Sequence, residues 1–132
     1  MKPKRQVMAF GTFDGLHPGH RFFLEQARAL GDALIVIVAR DTNVKKIKGK
    51  TAMHDESARL KALTESGLVD KAELGNPTDF YQCLRDHKPE VVALGYDQKA
   101  DESAIREVLP EVTIKRVDAF KPEQYKSSLL RA

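Results

Sequence analysis

Residues 33–39, Ala-Leu-Ile-Val-Ile-Val-Ala, constrain the fold of this chain more than any other stretch. Every position is apolar, so a strand made from it has no face to give to water. Such a strand belongs inside a parallel sheet that helices cover on both sides. The rest of the chain alternates short β-like runs with helical patterns. Val7, Met8, Ala9 and Phe10 form a compact apolar run that ends at Gly11. From Gly19 to Leu30, the residues Phe23, Leu24, Ala27 and Leu30 recur at helical spacing, with Gly31 as the expected stop.

Asp55 to Ser66 predicts a helix with Ala58, Leu60, Ala62 and Leu63 facing inward and Gly67 closing it. Val69 to Leu74 predicts a weaker strand, and Thr78 to His87 a helix with Phe80, Tyr81 and Leu84 on one side. Glu90 to Leu94 predicts a clear strand closed by Gly95. Asp101 to Leu109 predicts a helix stopped by Pro110, Val112 to Val117 a last strand, and Glu123 to Arg131 a short tail helix. Five strands alternating with helices imply an α/β fold, a Rossmann-like doubly wound five-stranded parallel sheet with helices on both faces. Crossovers in such a sheet are right-handed, and ligands bind beyond the carboxyl ends of its strands.

With 132 residues, the chain is expected to form a single domain over residues 1–132. No apolar run approaches the roughly 20 residues of a membrane span. The basic opening Met1-Lys2-Pro3-Lys4-Arg5 precedes an apolar run too short for a signal peptide, so cytoplasmic residence is expected. The single cysteine, Cys83, excludes an internal disulfide and a multi-cysteine zinc site. A net charge of +3 suits a protein that handles anions. The excess concentrates at residues 40–50, where five basic residues meet one acid. This stretch reads as a loop after the 33–39 strand, either a solvated run or one that closes over a polyanion.

Between the first strand and the first helix lies Gly11-Thr12-Phe13-Asp14-Gly15-Leu16-His17-Pro18-Gly19-His20. Gly11 allows a sharp turn and a close approach of phosphate to the backbone. Pro18 suits the first helical position. Gly19 keeps the helix start bare, so that its N–H groups can meet an anion. His17 and His20, three apart, can turn both imidazoles to one side. A zinc pair on a helix favours i,i+4 instead, and no third ligand lies nearby in sequence, so no protein metal site is expected. Neither the dinucleotide nor the P-loop glycine pattern is present. Asp14 reads best as a turn residue.

The segment GTFDGLHPGH resembles the HxGH signature of the cytidylyltransferase-like nucleotidyltransferases. The resemblance continues through Lys48-Gly49-Lys50 and Arg59, which match basic positions of the glycerol-3-phosphate cytidylyltransferase branch. It runs on through Gly95-Tyr96-Asp97-Gln98, Tyr125 and Ser127-Ser128-Leu129-Leu130-Arg131. Within the family, VARDTNVKKIKGK and LGYDQ look most like the archaeal-type FAD synthases, which transfer AMP from ATP to FMN. Lys126 stands where serine is common in the closing motif, and Leu130 where isoleucine is. Those synthases are associated with a cysteine-bearing tail, which the residues up to Ala132 do not include.

What the resemblance implies is a nucleotidyltransferase in which the acceptor phosphate attacks the α-phosphate in line and pyrophosphate leaves. His17, His20 and Lys50 are then the expected catalytic residues. Thr12, Phe13, His17, His20, Asp97, Tyr125 and Ser128 are expected at the nucleotide, and Lys48 and Arg59 at the substrate phosphate. Arg59 has two other readings, an anchor for the basic loop or a plain surface helix residue. A divalent ion, Mg²⁺, is expected on the nucleotide phosphates. Relatives imply a homodimer, with no nucleic acid or membrane partner. Two further readings stay open. One is a cytidylyltransferase acting with CTP on glycerol 3-phosphate or a related phospho-alcohol. The other is a non-catalytic nucleotide-binding or nucleic-acid-binding module, which no aromatic interleaving supports.

Overall fold

The structure is a computed structural model that describes residues 5–49, 52–79, 81–95, 98 and 100–117, apart from the side chains of residues 46–48. Its elements run β1 (Gln6–Gly11), α1 (Pro18–Arg28), β2 (Ala33–Val38), α2 (Asp41–Lys48) and α3 (Glu56–Glu65). They continue as β3 (Lys71–Leu74), α4 (Gln82–His87), β4 (Val91–Leu94), α5 (Glu102–Val108) and β5 (Thr113–Arg116). The five strands form one sheet in the order β3-β2-β1-β4-β5, and every pair is parallel. The α/β fold expected from the alternation is therefore present. The Glu123–Arg131 segment and Phe80 lie outside the described residues.

Alternate side chains of each strand feed two cores, as the period of a strand requires. On one face Val7, Ala9, Leu34, Val36, Val38, Val91 and Ala93 pack under Leu24 and Ala27 of α1 and Leu63 of α3. On the other, Met8, Phe10, Ile35, Ile37, Val92 and Leu94 meet Cys83 and Leu84 of α4 and Ile105 of α5. The 33–39 run is apolar throughout because β2 is buried on both faces, between β1 and β3. Strand β3 sits at the sheet edge and is only half-buried, which is why its sequence signal is weak. The strand order reverses direction between β1 and β4. In such sheets the crevice beyond the carboxyl ends of the strands at that point is the usual ligand position.

Four local readings change. The basic stretch after β2 is a helix, α2, closed by Gly49 in the left-handed conformation at φ 73°. Its charges hide the pattern, and the signals that could reveal it are the glycine C-cap and buried Val44. In α3 the buried positions are Arg59 and Leu63, Leu60 packs against the core as expected, and Ala58 and Ala62 face solvent. The helix expected from Thr78 begins at Gln82, because Asn76 and Asp79 accept hydrogen bonds from backbone N–H groups in the turns ahead of it. Gly31 is required by contact rather than by a left-handed cap. A Cβ there would lie 2.7 Å from the Arg5 carbonyl oxygen and 2.7 Å from Val7 Cγ2.

Candidate active site

Strand β1 delivers the histidine loop to the crevice. Phe13 holds φ 53°, a conformation that strains any residue with a Cβ, yet its ring is 4% exposed. The ring folds back over Gly11, where a Cβ would come within 2.7 Å of Phe13 Cε2. Gly11 thus makes room for an aromatic ring, and its expected sharp turn is not what the strand end requires. The Phe13 ring then meets His20 edge-on at 5.4 Å and 63°, and Phe23 at 6.4 Å. A buried ring held in a strained backbone therefore sets the wall against which His20 stands.

His17 is the N-cap of α1, with Pro18 in the first turn as expected. Its Nδ1 accepts from the Gly19 N–H at 3.1 Å and the His20 N–H at 3.3 Å. The helix-start amides are therefore not bare. The imidazole caps them, as a serine or aspartate would elsewhere. An Nδ1 that accepts carries no proton, so in the neutral ring the proton sits on Nε2, a donor turned away from the backbone. His20 closes the capping box from the third helical position, its Nδ1 lying 3.5 Å from the His17 N–H and 3.1 Å from the Gly15 carbonyl. One Nδ1 cannot serve both partners in one tautomer: as an acceptor it closes the box, and as an Nδ1–H donor it takes the shorter contact and leaves the lone pair of a neutral ring on Nε2. The two rings stack at 3.6 Å and 19°. Spacing in sequence thus becomes a pair of parallel imidazoles with both Nδ1 atoms engaged at the backbone.

Arg59 is 1% exposed, so it is no surface residue. Its Nε donates to the His54 carbonyl at 3.0 Å, and its Nη1 to the carbonyls of Thr12 at 2.9 Å and Ala39 at 2.8 Å. Its Nη2 donates to Asp41 Oδ1 at 2.7 Å. One guanidinium fork thus joins the ends of β1 and β2, the first turn of α2 and the entry to α3. With four of its five N–H donors taken by the chain, Arg59 anchors this end of the sheet, one of the roles its sequence position allows. Hydrogen bonding to Arg59 is the leading cause that holds the Asp41 carboxyl below the usual range. Asp41 and Glu56 also exchange backbone-to-carboxylate bonds, and Arg40 bridges Glu56 and the Gly75 carbonyl. The basic helix is clasped at its N-terminal end to α3.

Sequence reasoning gave Asp14 to its own turn, but its partners lie in a distant segment. Its carboxylate accepts from the Met53 N–H at 2.6 Å, the His54 N–H at 2.9 Å and His54 Nδ1 at 2.9 Å. Desolvation pushes this carboxyl up, but the hydrogen bonds from Met53 and His54 outweigh it and hold the pKa at about 2. Because the folded value lies below the unfolded one, the stability contributed by Asp14 is complete above about pH 4 and is lost as pH falls toward 2. Asp14→Asn should flatten that part of the acid-unfolding curve. An unchanged acid limb would remove the assignment.

Beyond β4, Gln98 spans the crevice. Its Nε2 donates to the Phe10 carbonyl at 3.2 Å, and its Oε1 accepts from the Gly95 N–H at 3.0 Å. Arg116 Nη1 donates to the carbonyls of Gly95 and Gln98 at 2.9 and 2.6 Å. Both flanks of the Tyr96-Asp97 dipeptide are held in this way. Asp97 itself, with Lys50, Tyr125 and Ser128, lies outside the described residues, as does the side chain of Lys48. Among the sequence-predicted residues, the fold brings Thr12, Phe13, His17, His20 and Arg59 to one end of the sheet. Among the described residues no three His, Cys, Asp or Glu side chains cluster to hold a metal ion, and no helix is long and apolar enough to cross a membrane. Cys83 is buried, and burial pushes its thiol up to about 11, which suits packing and not nucleophilic attack.

A parallel sheet with paired histidines beyond its first strand defines a nucleotidyltransferase, and the family model described as cytidylyltransferase-like matches residues 8–132. The chain belongs to that family and is a nucleotidyltransferase. It is 48% identical over 103 residues to the FAD synthase of Aciduliprofundum boonei, covering 77% of this chain and 68% of that one. It is 37% identical over 130 residues to the FAD synthase of Thermoplasma acidophilum, covering 96% and 91% of the two chains. A solved structure named as a lipopolysaccharide core biosynthesis protein from Thermoplasma volcanium superposes with a TM-score of 0.83 at 37% identity, over 90% of this chain and 100% of that one. Pantoate-beta-alanine ligase from Francisella tularensis shares the fold alone. Its TM-score is 0.63 at 14% identity, over 92% of this chain and 61% of the ligase.

Proposed function

We propose that this protein is an FMN adenylyltransferase that joins AMP from ATP to the phosphate of FMN and releases pyrophosphate. The observation that carries the reading is the stacked His17–His20 pair, with Nδ1 atoms committed to the backbone, at the switch point of the sheet. Relatives named FAD synthase, which align over most of the chain, support the choice of substrates.

The acceptor phosphate oxygen attacks the α-phosphorus in line while the bond to the bridging oxygen of pyrophosphate breaks. Both partners are anions, so catalysis consists of holding them together and meeting the charge that builds. His17 Nε2–H donates to a phosphate oxygen, and the His20 ring stacked on it meets the same phosphates. Lys48, the last residue of α2, and Lys50 close over the triphosphate. Asp97, Tyr125 and Ser128 contact the nucleotide, with Thr12 and Phe13 offering backbone. A divalent ion such as Mg²⁺, when bound, neutralises phosphate charge. Such an ion usually keeps several waters and is held largely by substrate phosphates. The protein acts in the cytoplasm as a homodimer, without nucleic acid or membrane.

A panel of ATP and CTP against FMN and glycerol 3-phosphate, assayed for pyrophosphate, tests the substrates. FAD formation only with ATP and FMN is expected. Turnover of CTP with glycerol 3-phosphate instead would replace the reading. Lys50→Ala should raise the KM for ATP or lower kcat, and unchanged kinetics would return the basic stretch to a solvated surface.

A further inference from the structure

The histidine signature contains two imidazoles, and the fold brings a third to its edge. His54 lies just ahead of α3, forty residues from Asp14 in sequence, yet its Nδ1 is 2.9 Å from Asp14 Oδ1. Its Cε1 lies 4.0 Å from the place a Cβ on Gly15 would take. The carbonyl of that same Gly15 is 3.1 Å from His20 Nδ1. One glycine therefore separates the His54 ring from the catalytic pair.

The His54 backbone is fixed from both sides. Its N–H donates to Asp14 at 2.9 Å and its carbonyl accepts from Arg59 at 3.0 Å, while the neighbouring Met53 N–H donates to Asp14 at 2.6 Å. These backbone bonds hold the loop without help from the imidazole. The ring is nonetheless oriented and half-exposed, with Nδ1–H on a carboxylate. Among the described residues no hydrogen bond meets Nε2. A carboxylate that fixes the tautomer and presents the far nitrogen is how proteins prepare an imidazole to accept a proton.

We infer that His54 Nε2 takes the proton of the acceptor's phosphate and holds that phosphate beside the His17–His20 pair, an inference that rests on the nucleotidyltransferase reading above. A phosphate monoester has its second pKa near about 6, so near neutrality part of the acceptor arrives protonated. A protonated phosphate is the poorer nucleophile. When the proton passes to Nε2, the phosphate becomes the dianion, and the imidazolium remains bonded to it on one side and to Asp14 on the other. The acceptor oxygen then forms its bond to the α-phosphorus, the bond to pyrophosphate breaks, and the proton stays on His54 until product leaves.

His54→Ala keeps both backbone bonds to Asp14 and removes only the ring. Loss of a charge-assisted hydrogen bond corresponds to about 10- to 100-fold. The KM for FMN and the Kd for FMN by flavin fluorescence titration should rise by that factor, with the KM for ATP unchanged and Tm lowered only by the loss of the exposed Nδ1–Asp14 bond. His54→Gln retains a hydrogen-bonding group that cannot exchange a proton, so it should recover part of the binding and little of kcat. Unchanged FMN KM, Kd and kcat in His54→Ala would overturn the inference. So would a fall in Tm with both substrates weakened equally, which would make the ring structural. Should the wild-type protein form no FAD but use CTP and glycerol 3-phosphate, the substrate reading fails on its own. The same split between acceptor and nucleotide, measured with glycerol 3-phosphate, then decides for or against His54.

Discussion

His20→Ala should slow pyrophosphate release by about 10²–10³-fold, the usual loss when one preorganised donor is removed from a developing charge. The fold should survive. His20 shares the capping box with His17, and loss of a cap interaction is typically worth only ~1 kcal/mol. The Gly19 and His20 amides keep their bonds to His17 Nδ1, because those bonds need only backbone at position 20. His17→Ala makes the contrast, since it removes the cap from two amides together with a donor, and should lower Tm as well as kcat. Steady-state kinetics with thermal unfolding of both variants separates the roles. Near-normal turnover by His20→Ala would end the enzymatic assignment of the pair.

Arg59→Ala should be the most damaging single change to stability among the residues at this end of the sheet. It leaves the carbonyls of Thr12, Ala39 and His54 without their donor and Asp41 without its cation. Leaving a buried acceptor without its donor typically costs about 1–3 kcal/mol. Arg59→Lys should recover little, since one ammonium cannot reproduce a planar fork aimed at separate carbonyls. Urea titration reads the effect as a lower midpoint. A midpoint within experimental error of wild type would show that the anchor carries no weight. Activity should fall with stability, because the Thr12 carbonyl and the start of α2 are held by the same side chain.

The two cases differ in how visible they are before the fold is known. His17 and His20 could be read directly, because their spacing, the proline between them and the preceding apolar run are all local. Arg59 could not. In a helix, an arginine between alanine and leucine reads as a solvent-facing charge, and only the carbonyls converging on it reveal the burial. Asp14 hid for the same reason, since its partners Met53 and His54 lie far along the chain. Gly11 was legible as a special position but for the wrong cause. The Phe13 ring that needs its space lies only two residues away, yet the φ of 53° that folds it back has no signature in residue type.

What the amino-acid order alone determines is the alternation of buried strands and amphipathic helices, and the place of the histidine loop after β1. Both follow from periodicity and turn chemistry within a few residues. The tertiary structure alone decides that α2 is a helix clasped to α3, that Arg59 is an internal anchor and that a third imidazole borders the pair. Each of these depends on hydrogen bonds between groups many residues apart. Such contacts satisfy buried polar atoms in three dimensions and leave no periodic trace along the chain.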